Sequence, residues 1–165
     1  MATKVTAQLN IGFTLVELLV VLGLFTVVFT LSNVSLSSMI ARSSSQEFTQ
    51  TLISDLSRQQ NRAMTGEAAS GSATSYGVRL TENSYTLFDG EVFSESSATN
   101  IRVQLPVDVQ FENISLPQQQ IVFQEDSGEI SDFVAGQSSW DMRNTTTNTT
   151  QTFQVNRLGV ITQSP

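Results

Sequence analysis

The chain has 165 residues, room for one modest domain plus an extra element. Its formal net charge is −7, Lys4 is its only lysine and its seven arginines are scattered; this argues against polyanion partners, which bind mainly through phosphate neutralisation by basic patches. With neither cysteine nor histidine present, disulfides, thiolate metal sites, cysteine nucleophiles and histidine general bases are excluded.

The first element is the almost wholly apolar run from Phe13 to Leu31. As a helix it would reach roughly 28 Å, close to the ~30 Å hydrocarbon thickness of a bilayer. Lys4 precedes it and no acid does, a weak positive-inside signal that puts the N-terminus in the cytoplasm and the rest of the chain on the other side. A cleaved secretory signal would have a shorter apolar region, about 7–15 residues, with small residues at the cut; Ser35-Leu36-Ser37 matches that poorly. A plain membrane anchor fits the length. Neither reading accounts for Glu17, the lone charge in the run. A carboxylate inside a membrane helix costs on the order of 2–3 kcal/mol or more and marks a function, unless its place one turn from Phe13 lets it reach the interface.

The sequence Gly12-Phe13-Thr14-Leu15-Val16-Glu17-Leu18-Leu19 resembles the cleavage and methylation motif of type IV pilins and type II secretion pseudopilins. The resemblance implies a leader, residues 1–12, removed by a prepilin peptidase that cuts between Gly12 and Phe13 and methylates the new amine of Phe13. It also implies that Glu17 pairs with the N-terminal amine of a neighbouring subunit and sets axial register in a filament. A buried amine and a buried carboxylate are each costly alone, so such a pair relieves both. The leader carries one basic residue, and no Pro stands near Asn33 and Val34, where many pilins have one.

Beyond the apolar run, Phe48, Leu52, Ile53, Leu56, Ala63 and Met64 recur at mostly helical spacing and predict an amphipathic half laid on a globular domain. One long helix is thus expected over residues 13–65, with 13–31 as its membrane or filament core. Residues 66–75, rich in Gly, Ser and Ala, predict a linker, and residues 76–165 a β-rich domain. Tyr76–Leu80 and Tyr85–Phe88 predict a hairpin; Ile101–Leu105 and Val107–Ile114 alternate; Ile121–Phe123 and Ile130–Val134 bracket a turn at Asp126-Ser127-Gly128; Phe153–Val155 and Val160-Ile161 bracket Arg157-Leu158-Gly159. The expected class is therefore α+β, a long N-terminal helix followed by a small, mainly antiparallel β domain. The details are most similar to the GspH/FimT group of minor pseudopilins. Ser94–Asn100 and Asn144–Thr152 are expected as exposed polar loops.

Glu125, Asp126, Glu129 and Asp132 form the densest acidic cluster. Its spacing does not fit an EF-hand loop, and a hairpin turn naturally carries such residues, so no metal is assigned. No nucleophile, base or poised carboxylate pair has a motif behind it, so neither catalysis nor a cofactor is expected. The chain reads as a structural, minor subunit of a pilus-like or pseudopilus filament. Its implied partners are the prepilin peptidase and other filament subunits, and its implied place is single-pass in a bacterial inner membrane with the β domain outside the cytoplasm. The alternative is a DNA-binding minor pilin for DNA uptake; the corresponding C-terminal region, Asn156-Arg157-Leu158-Gly159, has one arginine, and the acidic balance disfavours nucleic acid.

Overall fold

The computed structural model describes residues 13–66 and 74–164, without the side chains of residues 31–42. Backbone helix α1 runs Leu15–Thr65. Eight strands follow: β1 Tyr76–Thr81, β2 Ser84–Asp89, β3 Ile101–Gln104, β4 Val109–Ser115, β5 Gln120–Phe123, β6 Ser139–Asn144, β7 Thr149–Val155 and β8 Ile161–Ser164. The chain divides into two compact units, Met1–Ser37 and Ser38–Pro165.

The expected plan of one long pilin-like helix with a membrane-spanning half is overturned. The helical residues with described side chains form two stretches, 15–30 and 43–65, and among the described residues no helix is long and apolar enough to cross a membrane. The expected single-pass inner-membrane placement falls on the same finding.

Within the second unit the strands form two four-stranded sheets, ordered β3-β2-β1-β5 and β4-β6-β7-β8. Every adjacent pair is antiparallel. The predicted hairpin is β1–β2, turning at Glu82-Asn83 with Leu80 opposite Tyr85. Ile130–Val134 is not a strand: it makes only the isolated bridges Phe123–Ile130 and Val134–Gln137. Strand β6 had no counterpart in the sequence reading, and the predicted polar loop from Asn144 is half strand, since β7 begins at Thr149.

The core joins the residue 43–65 stretch of α1 to both sheets. Phe48, Leu52, Leu56 and Ala63 are buried on one stripe, whereas Met64 is half exposed. Phe48 lies 5.9 Å from Tyr85 of the first sheet and 6.2 Å from Phe111 of the second, ring centre to ring centre, so it fills the seam between them. Trp140 and Phe153, directly opposite on β6 and β7, stack at 5.4 Å with planes 6° apart.

Polar side chains complete the fit. Buried Gln59 donates to the carbonyls of Gly77 (3.1 Å) and Phe88 (3.4 Å) and accepts from Arg62 (3.1 Å). Tyr85 donates to Asp55 Oδ2 at 2.5 Å. Gln60 donates to the carbonyls of Gly128 (2.9 Å) and Leu158 (2.8 Å), so one amide holds two turns from different sheet edges. Gly128 has φ +67°, and a Cβ there would strike Met64.

Candidate functional site

The first described residues build an apolar surface. Thr14 caps α1: its Oγ1 accepts from the Glu17 backbone N–H at 3.2 Å, and its carbonyl accepts from Leu18 N–H at 3.2 Å. Thr14 and Glu17 stand in the T-x-x-E spacing of a capping box, with the carboxylate in the first turn, where the helix dipole favours negative charge. That signal was readable in the sequence and gives Glu17 a local role beside the intermolecular one implied by the resemblance.

Every residue from Phe13 to Thr30 is exposed. Among them thirteen large apolar side chains, from Phe13 (76%) through Val21 (41%) to Phe29 (73%), stand in the open. Soluble chains rarely present an apolar area of this kind unless something covers it. Thr26 and Thr30 add little polarity to it: Thr26 Oγ1 donates to the Gly23 carbonyl at 2.8 Å and Thr30 Oγ1 to the Thr26 carbonyl at 2.7 Å. At Gly23 a Cβ would meet nothing within 4 Å, so the surface has a dip where another helix can approach closely. Of the predicted site residues, Phe13 and Glu17 lie at the start of this surface, both exposed; Gly12 lies outside the described residues.

The acidic hairpin works as a docked turn. The Asp126 N–H donates to the Ala63 carbonyl near the end of α1 at 3.1 Å, Glu129 pairs with Arg157 at 3.0 Å, and Gly128 receives Gln60. Among the described residues no group of three or more acidic side chains could share a metal ion. Arg157, the one basic residue of the C-terminal region weighed for DNA, is therefore engaged within the chain.

Two arginines missed in the sequence stand apart. Arg79 on β1 and Arg102 on β3 flank Thr86 of β2 in one cross-strand row, with Gln120 of β5 opposite Arg79. In an acidic chain their positive charge draws no notice until pairing aligns them. Set beside family models, curated proteins and solved structures, the chain matches none.

Proposed function

We propose that the chain is a structural subunit, of the minor kind, of a filament resembling type IV pili or type II secretion pseudopili. Maturation cuts between Gly12 and Phe13 and methylates the freed amine. Subunits then associate by burying the apolar helical surface of residues 13–30 against its counterparts, with Glu17 facing the neighbour's N-terminal amine.

The observation that carries this reading is the continuous exposure of large apolar side chains from Phe13 to Thr30. Burying one such side chain is worth roughly 1.5–3 kcal/mol. A ring of them therefore supplies association energy, and one carboxylate at its start supplies register. The position of Glu17, one turn from Phe13, suits it to both capping and pairing.

Mass spectrometry of the chain from cells that hold a prepilin peptidase tests the proposal. A mature N-terminus at Phe13 carrying one extra methyl group is expected. An intact Met1, or a cut near Ser37, removes the reading.

A further inference from the structure

The face of the first sheet opposite Tyr76, Val78 and Leu80 carries a recess of about 290 Å³, lined by Arg79, Thr81, Thr86, Phe93, Asn100 and Arg102, with Glu95 at its wall. The segment between β2 and β3 forms that wall. It is held over the sheet by Phe93, whose N–H donates to Gln120 Oε1 at 3.4 Å and whose ring meets Phe88 edge-on at 5.5 Å. Phe88 in turn lies across Gly77, where a Cβ would collide with its ring.

The Arg79 guanidinium sits 4.6 Å from the centre of the Phe93 ring. Among the described residues it has no hydrogen-bond or ion-pair partner, and its Nε is buried without one. Arg102 spends only its Nε, on Ser84 Oγ at 3.1 Å. Asn100 anchors its amide on the Ser94 carbonyl at 2.8 Å and leaves Oδ1 buried and unbonded. Arg62, Arg143 and Arg157 all have carboxylate partners in this acidic chain, whereas Arg79 and Arg102 are turned to one recess without any. With Thr86 between them, their backbones stand about 10 Å apart, two strand spacings. Planar guanidiniums at that separation can converge on one carboxylate from two sides, with the Thr86 hydroxyl as a further donor. Glu95, outside ion-pair reach of either, disfavours an anion of higher charge such as phosphate.

We propose that this recess binds a ligand through a single carboxylate held between Arg79 and Arg102. The carboxylate comes either from a small free molecule or from an acidic side chain of a second copy. The site belongs to the β unit and stands independently of the filament reading.

The test follows the arginine side-chain Nε–H resonances of the full-length, detergent-solubilised chain by NMR. Acetyl-glutamate-amide and inorganic phosphate are titrated in turn, and the protein is diluted alone. Saturable shifts of the Arg79 and Arg102 signals with acetyl-glutamate-amide are expected, weakened roughly tenfold or more in R79Q and in R102Q, each with an unchanged circular dichroism spectrum. Shifts with added amide but not with dilution identify a free carboxylate; shifts on dilution that both variants abolish identify a second copy. Tighter binding of phosphate than of the amide, or signals unmoved by amide and dilution alike, overturns the proposal; so does a folded R102Q that binds as the parent does.

Discussion

Gln59 and Gln60 are neighbours in sequence and serve different parts of the fold. Gln59 is buried against β1 and β2, so Gln59→Leu, which keeps volume and removes the donor, is expected to cost about 1–3 kcal/mol in urea unfolding. Gly77 works by close approach. Gly77→Ala sets a methyl against the buried Phe88 ring and is expected to cost about 1–3 kcal/mol, part of which Phe88→Leu in the same chain restores. Tyr85 links titration to stability. Burial first, and then the hydrogen bond and charge of Asp55, hold its hydroxyl well above the ordinary phenol range. Its folded value exceeds its unfolded one, so its contribution is whole below about pH 10 and is lost as pH rises beyond that. Urea midpoints should therefore fall as pH rises above about 10, and in Tyr85→Phe that slope should flatten while stability at pH 7 drops by about 1 kcal/mol.

At the scale of elements, β6 and β7 rest on one aromatic stack. Trp140 is buried, and its indole N–H has no partner among the described residues. Trp140→Phe removes an orphaned donor along with some volume and is expected to cost less than half of what Trp140→Ala does, the latter about 3–5 kcal/mol by thermal unfolding. Strand β6 was missed in the sequence because only Trp140 and Met142 are apolar on its buried face, which ends in the amide of Asn144, while Asp141 and Arg143 alternate with them. Ile130–Val134 misled in the opposite direction: its apolar residues serve two single bridges. The hairpin β1–β2 was legible because its pairing is local. The division into two sheets was not, because β1 chooses β5 across forty residues of chain on grounds that no local pattern states. The stripe Phe48, Leu52 and Leu56 was legible as an amphipathic face, but Gln59 within it was not, since hydropathy counts an amide as surface. The Arg79–Arg102 row escaped for a similar reason: Arg79 and Arg102 meet only through register. Legible from the start was the apolar run from Phe13 to Leu31. The bilayer span read from that run is what falls: among the described residues no helix is long and apolar enough to cross a membrane.

For the molecule as a whole, the apolar surface of residues 13–30 predicts behaviour in solution. The full chain should self-associate in a concentration-dependent way, and Leu22→Asp together with Phe25→Asp should weaken this at least tenfold in sedimentation velocity. The near-ultraviolet signal of Trp140, which reports on the second unit, should stay unchanged. Gln60 adds a consequence for how the protein comes into being. Its two bonds reach residues 68 and 98 positions further along the chain. At about 5–20 residues per second, a ribosome needs roughly 5–20 s to make Leu158 after Gln60. Through that interval the stripe of Phe48, Leu52 and Leu56 emerges before the sheets that cover it. A nascent-chain chaperone would find its binding site there, and the order of synthesis makes this helix the part of the fold most exposed to wrong partners.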